Sequence, residues 1–321
     1  MKRRLLLGAG AAASLATFAP HAFAQPGNVI KFCVPFPAGG LVDVIARMLG
    51  DSMGKTLQRT VIIENRAGAA GVIGSRYVRS APPDGATIMF HQSGFVATPV
   101  LSKVPAYDPV KDFSAVAMVG QTPNFLVVHQ SVPSRTLAEF ITYARNLPNP
   151  IECGNPGTNT GGHISALMFE KLGKLKVLHV PFKGSSEMAT AILSGEIKMQ
   201  ITSQSDAVAA NIKSGKLRVL GVATSKRSPL APEIPAIAEL LPGYGLDGWY
   251  GVLGPAGMPL AVRESLSNAI RTGLDDPVIK QRLASLYMDT GWRGPAEFTR
   301  VVAGSVDYYR RLAEEFSLEL Q

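Results

Sequence analysis

Few of the side chains able to do covalent chemistry stand where chemistry would need them. His91, His129, His163 and His179 are dispersed, without the i, i+4 spacing or partnering cysteines of a zinc site. Only His163 adjoins a loop of functional character, and a hydrogen bond to that loop's backbone explains it equally well. Ser52-Met53-Gly54-Lys55 has the Ser-x-x-Lys spacing of some acyl-transfer enzymes, but it closes a helical pattern away from the loop mouths. No Gly-x-Ser-x-Gly elbow occurs. Cys33 and Cys153 each lie at the end of a strand-like run. A bridge between them is allowed in an oxidising compartment, whereas two buried free thiols are the simpler reading. These residues support no catalytic or metal role and call for no cofactor.

What remains is anion holding by backbone. Gly154-Asn155-Pro156-Gly157-Thr158-Asn159-Thr160-Gly161-Gly162-His163 joins a short apolar run at Ile151 to a helical pattern through Ile164, Leu167, Met168 and Leu172. Glycines and hydroxyl residues at a helix start leave amides without intrahelical acceptors, and the helix dipole there favours negative charge. The loop lacks the Gly-Lys-Ser/Thr ending of a phosphate-binding P-loop. Pro35-Phe36-Pro37-Ala38-Gly39-Gly40 opens another helix in the same way. Gly68 to Gly74 is glycine-rich, but its spacing is wrong for a dinucleotide loop and suits helix packing and a turn. Loops 91–95, 182–186 and 202–206 also follow strands, and ligands of open α/β sheets bind beyond the carboxyl ends of strands. Ser185 and Ser186 read as cap hydroxyls. Asp206 reads either as a helix cap or as a selector for a ligand amine or hydroxyl. Asp43 and Arg47, one turn apart, suit an intrahelical ion pair. Loops of this kind without a nucleophile–base pair favour binding over catalysis.

The elements that must position these loops alternate. Val29 to Val34, Thr60 to Ile63 and Thr87 to Phe90 read as strands, with helices from Leu41 and from Gly68 to Val78 between them. This predicts an α/β domain with a largely parallel sheet. Apolar runs at Ala115 to Val119 and Phe125 to Val128 flank Gly120-Gln121-Thr122-Pro123, where the chain is expected to cross to a second lobe. Strand, helix, strand, helix then continue to Leu217–Ala223, where it returns. A proline-rich connector from Ser225 to Gly245 leads to a strand-like Gly248 to Leu253, then helices over 260–274, 277–286 and 295–316.

With 321 residues the chain exceeds what one ordinary core needs. The expected organisation is a leader at 1–24, one lobe from 25–120 plus 225–321, and another at 121–224, with the C-terminal helix able to straddle both. Lys2, Arg3 and Arg4, the apolar Leu5 to Phe18 and Ala22-Phe23-Ala24 together make a signal peptide ending before Gln25. Adjacent Arg3-Arg4 also allows a twin-arginine signal. Export to the periplasm is therefore expected. Removing the three leader cations takes the formal charge from +8 to +5, and the remaining basic residues are scattered, never more than two in a row. No cluster is present to track a nucleic-acid backbone.

At these loops the chain resembles the Bug family of periplasmic solute receptors. The resemblance is carried by Val34-Pro35-Phe36-Pro37-Ala38-Gly39-Gly40 with Asp43, Glu64-Asn65-Arg66-Ala67-Gly68, Pro82-Pro83-Asp84-Gly85, Tyr107-Asp108-Pro109-Val110-Lys111-Asp112-Phe113, Val180-Pro181-Phe182-Lys183-Gly184 and Trp249-Tyr250-Gly251-Val252. It spans essentially the whole chain beyond the leader. The resemblance implies a two-lobed periplasmic binding protein of the type II, flytrap-like kind with two chain crossings, expected to be monomeric. It implies a small carboxylate ligand and membrane subunits of a tripartite tricarboxylate transporter as partners. Carried over, the ligand residues are Phe36, Pro37, Ala38, Gly39 and Gly40 on one side and Thr158, Asn159, Thr160, Gly161, Gly162 and His163 on the other. Ser203 and Asp206 lie in a loop that contributes to ligand choice. Ser93 and Phe95 fall where many members carry a polar run ending in histidine. Phe95 would make the pocket more apolar, favouring aromatic or longer-chain carboxylates, or would pack beneath the lobe. A ligand sensor on the same scaffold and an exported enzyme using the cleft are the alternatives.

Overall fold

A computed structural model describes residues 28–246 and 248–316. The leader expected at 1–24 lies outside the described residues. The first lobe holds β1 (Val29–Val34), α1 (Leu41–Leu57), β2 (Thr60–Asn65), α2 (Val72–Arg79), β3 (Thr87–Gln92), α3 (Gly94–Val100) and β4 (Phe113–Gln121). The second holds β5 (Asn124–His129), α4 (Leu137–Arg145), β6 (Ile151–Asn155), α5 (Gly161–Gly173), β7 (Val177–Pro181), α6 (Ser185–Ser194), β8 (Met199–Ser203), α7 (Asp206–Lys213) and β9 (Leu217–Val222). The chain then returns to the first with β10 (Tyr250–Pro255), α8 (Leu260–Asp275), α9 (Pro277–Ser285), β11 (Asp289–Arg293) and α10 (Pro295–Glu315).

The sheet orders are β11-β4-β10-β3-β1-β2 and β7-β6-β8-β5-β9. Both are mixed, which corrects the expectation of a largely parallel sheet. β1 runs parallel to β2 and β3, but β10 lies antiparallel between β3 and β4, and β11 antiparallel to β4. In the second sheet β6 is parallel to β7 and β8, and β5 is antiparallel to β8 and β9. The antiparallel strands are the ones the chain delivers after crossing between lobes, so the local alternation that argues for parallel pairing does not govern them. The β11 strand and the short α3 escaped the sequence reading. α3 has only seven residues and carries Pro99, and β11 is built on Gly291 and Trp292 with little apolar alternation.

Helix faces follow the sequence periodicity. α1 buries Leu41, Val42, Ile45, Ala46, Leu49 and Met53 against one side of the first sheet, a 3.6-residue stripe. A separate cluster of Phe125, Val127, Met188, Ile192, Ile197 and Val208 fills the outer side of the second sheet. A third cluster is continuous across the lobes, running from Met89 and Phe95 through Trp249 and Tyr244 to Phe169 and Phe140. The return connector is pinned at both ends of this cluster: the Tyr244 hydroxyl donates to the Ser165 carbonyl of α5, and the Trp249 indole N–H donates to Ser305 of α10. α10 packs on β4 and α3, and Tyr308 at its far end donates to the Gly245 carbonyl. Only Thr122 and Pro123 separate β4 from β5.

Candidate functional site

Three helices begin at one narrow cavity between the lobes. Its walls are Phe36, Pro37, Gly40, Leu41 and Val42 from the loop into α1, Pro156 and Gly162 at the start of α5, and Ser185 at the start of α6. Gln92, Asn124, Thr202 and Ser203 complete it from the ends of β3, β5 and β8. The room open to water is about 20 Å³, space for about one molecule. The lobes are thus closed on each other. No charged side chain is among the lining residues described. The amides of Gly40, Leu41, Val42, Gly162 and Ser185 donate to no protein acceptor among the described residues. Unpaired N–H groups at three helix N-termini make the walls electropositive without any cation.

Asp43 holds the first loop in shape. Its buried carboxylate accepts from the Gly39 amide at 3.0 Å, from Asn65 Nδ2 at 2.9 Å and from Arg47 through two nitrogens at 3.0 and 2.9 Å. Asn65 Nδ2 also reaches the Phe36 carbonyl. Burial works against ionisation of Asp43, but the hydrogen bonds from Arg47, Gly39 and Asn65 outweigh it, and its carboxyl lies below the ordinary carboxylate range. The ion pair with Arg47 is therefore also a loop clamp.

The second loop is held by its own side chains. Asn155 Oδ1 accepts from the Gly157 amide, and Thr160 caps α5 by accepting from the His163 amide while donating to the Gly157 carbonyl. The Asn159 amide donates to His163 Nδ1 at 3.1 Å. Asn159 itself sits at φ 59°, a left-handed conformation that asparagine tolerates better than most residues. Gly162 is required for space. A Cβ there would stand 2.6 Å from the Ile201 carbonyl oxygen and 3.0 Å from Pro156 Cδ. Close approach of α5 to the second sheet depends on that absence.

The two loops and their neighbours touch across the cleft. Ser186 Oγ donates to the Ala38 carbonyl at 3.2 Å, and Asn159 Nδ2 donates to the Leu101 carbonyl at 3.1 Å. Gly157, at φ 121°, would press a side chain against Ala70. Of the residues expected from sequence, Phe36, Pro37, Gly40, Gly162 and Ser203 line the cavity. Ala38 and Gly39 are exposed on the loop's outer side, and Thr158 to Gly161 flank the cavity. His163 is engaged with its own loop and stacks edge-on against His179 at 5.3 Å. Burial, then the neighbouring His179, pushes His163 down to about 4, so it stays a neutral acceptor.

Three expectations change. Phe95 is fully buried, with its ring against Tyr107 at 5.2 Å, Phe113 at 4.8 Å and His91 at 5.5 Å. It packs beneath the lobe, and the argument for an apolar pocket built on it lapses. The Ser93 hydroxyl is buried and accepts from Tyr309 of α10. Asp206 is exposed and pairs with Arg282 of α9, while Ser205 is the N-cap of α7, accepting from Val208. A helix-capping role for Asp206 is corrected by one residue. The start of α6 has no side-chain cap, its N-cap being Gly184. Leu41, Val42, Gln92, Asn124, Pro156 and Thr202 line the cavity without being singled out as site residues by the sequence. The polar ends of β5 and β8, Asn124 and Thr202-Ser203, were the available signal.

A larger depression of about 740 Å³ lies between the 105–112 loop and α10. Its charges are matched in pairs, Arg79 with Asp112 at 3.1 Å and Arg310 with Asp307 at 3.6 Å. No helix start adjoins the cleft there, so we place the candidate site between the lobes. Cys33 and Cys153 are free and buried in different sheets, with burial pushing each thiol up to about 12.

The comparisons with known proteins agree with this fold. The family model described as the tripartite tricarboxylate transporter family receptor matches residues 45–318. A relative from Pseudomonas sp. (strain P51), the UPF0065 protein in the tcbD-tcbE intergenic region, is 32% identical over 99% of this chain and 95% of its own. Among solved structures, the periplasmic binding protein BugD superposes with a TM-score of 0.86 at 28% identity, covering 92% of this chain and 100% of its own. Rpa4515 from R. palustris, solved with adipate, gives 0.85 at 29% identity, covering 90% and 97%. With two lobes, two crossings and a cleft ringed by helix starts, this chain belongs to the tripartite tricarboxylate transporter receptor family, the Bug family of periplasmic solute receptors.

Proposed function

We propose that the protein captures a small carboxylate in the interlobe cleft and presents it to membrane subunits of a tripartite tricarboxylate-type transporter. One observation carries this reading: amides without protein acceptors among the described residues, at the starts of α1, α5 and α6, belong to residues lining a single cavity with no charged side chain in its described lining. Such a site suits an oxyanion held by backbone dipoles. The relative solved with adipate supports the ligand class. The ligand residues in this reading are Phe36, Pro37 and Gly40 of the first loop, Gly162 of the second and Ser203, joined by Gln92, Asn124 and Ser185. Closure proceeds by rotation of lobes 25–120 plus 225–321 and 121–224 about Thr122-Pro123 and the return connector. Delivery to the periplasm is by the leader at 1–24, and the receptor acts as a monomer without performing chemistry.

The test is a thermal-shift screen of mono-, di- and tricarboxylates followed by calorimetry. A ligand that binds the native state alone raises the melting temperature with its concentration. At least one acid is expected to do so and to be recovered unchanged. Turnover of that acid, or no stabilisation by any of them, refutes the reading.

A further inference from the structure

The end of the first lobe remote from the cleft carries an unmatched cation. β10 begins with Tyr250, whose hydroxyl reaches Ser203 of the other lobe, and ends with Pro255 paired to Phe113 at the start of β4. Six residues of strand set those two ends about 17 Å apart. At the far end a cavity of about 240 Å³ lies between the starts of β4 and α8 and the flank of α10. Phe113, Leu253, Met258 and Val302 wall it, and the exposed Val110 forms its rim. Arg263, in the first turn of α8, is the one charged residue of this described lining. It is half-buried, its Nε is shut off from solvent without a hydrogen-bond partner, and it forms no ion pair among the described residues. Carboxylates nearby in sequence are committed elsewhere: Asp112 to Arg79 at 3.1 Å, Glu297 to Arg293 at 3.6 Å, and Asp108 Oδ1 to the Val110 and Lys111 amides at 2.9 and 3.0 Å. Glu264 is exposed and forms no ion pair among the described residues.

We propose that this cavity is a second ligand site, separate from the cleft, for a small monoanionic acid with a compact apolar body. The carboxylate sits on Arg263 and the body lies against Phe113, Leu253, Met258 and Val302. A guanidinium partly withdrawn from water without a counter-ion is costly, so an anion gains there what a neutral molecule of the same shape does not. Ser114 adds a donor: its Oγ accepts from the Met258 amide at 3.3 Å, and its proton goes to no protein acceptor among the described residues. The volume equals about eight waters of ~30 Å³ each, which suits an acid of roughly eight non-hydrogen atoms. A second carboxylate would meet apolar wall, so diacids are disfavoured. The cleft differs in kind, because its described lining offers amides and no charged side chain.

Methionine-methyl NMR on the full chain reads this site locally, because Met258 walls the cavity and no methionine is among the residues described as lining the cleft. Met258→Leu assigns its signal. Hexanoate is expected to move the Met258 methyl to saturation. Acetate, which lacks the apolar body, and hexan-1-ol, which lacks the charge, are each expected to bind at least about tenfold more weakly. Arg263→Met keeps an unbranched stem and is expected to weaken hexanoate about tenfold or more. Val110→Asp, at the exposed rim, supplies a carboxylate that competes for Arg263 and is expected to weaken hexanoate by a similar factor without touching the packed walls. Three results overturn the inference: hexan-1-ol binding as tightly as hexanoate, undiminished hexanoate affinity in both variants, or a Met258 methyl that hexanoate does not move. Each leaves the receptor reading intact, since the cleft carries its own test.

Discussion

Gly162→Ala examines the close packing on which the anion loop depends. The new Cβ would lie 2.6 Å from the Ile201 carbonyl oxygen and 3.0 Å from Pro156 Cδ. Neither neighbour is a flexible side-chain end, so the first turn of α5 has to back away from β8 by several tenths of an ångström. Overpacking of this kind costs about 1–3 kcal/mol. The better helix propensity of alanine returns at most about 1 kcal/mol. The net loss, between about 0 and 3 kcal/mol, lowers the melting temperature by up to roughly 12 °C for lobes of this size. The same shift moves the Gly161 and Gly162 amides off the ligand, costing about 1.5–3 kcal/mol, or roughly 10- to 150-fold in affinity. Gly161→Ala is the control, because its Cβ meets Asn124 Nδ2 at 3.6 Å and Leu246 at 3.8 Å, ordinary contact distances. Thermal melts and calorimetry with the acid identified by screening give both readouts. A Gly162→Ala protein as stable as wild type with undiminished affinity refutes the argument for close backbone approach.

Asp43→Ala removes the acceptor of the Gly39 amide, Asn65 and Arg47 together, and urea unfolding is expected to show a loss of about 1–3 kcal/mol at neutral pH. Because the folded carboxyl lies below its ordinary value of 3.8, the wild type holds this advantage above that pH and loses it as the pH falls further. His91 and His163 are both held down to about 4 from an ordinary 6.5. Native stability is therefore complete above pH 6.5 and declines towards pH 4 as the unfolded chain takes up protons first, by at most about 3 kcal/mol for each residue. Proton NMR titration of the two rings should show midpoints near 4, and midpoints near 6.5 would contradict the buried neutral state. Arg282→Ala and Asp206→Asn are each expected to weaken ligand affinity by less than about fivefold, the scale of an exposed ion pair, and to lose that effect at high salt. A much larger, salt-independent loss for Asp206→Asn alone would make it a ligand contact.

The long periodic segments of this fold were legible in the sequence. α1, α5, α8 and α10 carry unbroken apolar stripes, and the starts of α1 and α5 are marked by the glycine and proline loops that also mark the cleft. Strand direction was not legible, because the placement of β10 between β3 and β4 depends on contacts between residues more than a hundred positions apart. Within the cleft, glycine-rich helix starts could be read from local pattern, since their amides are free by construction. Side-chain direction could not. Phe95 turns into an aromatic cluster formed with Tyr107, Phe113 and Trp249, partners that only the assembled lobe supplies. Asp206 likewise finds Arg282 on a helix that follows the return crossing.

The sheet order also bears on how the chain comes to be folded. The second sheet uses only strands from Asn124 to Val222, one continuous stretch, so everything it needs is present once that stretch is available. The first sheet has no such independence. β3 and β4 never pair with each other, and the strand that joins them begins at Tyr250. Until that strand arrives, β3 and β4 each present an unpaired edge, the kind of surface that recruits other chains. The lobe that begins first is therefore the one that must finish last, and Trp249-Tyr250-Gly251 is where its two halves are sewn together.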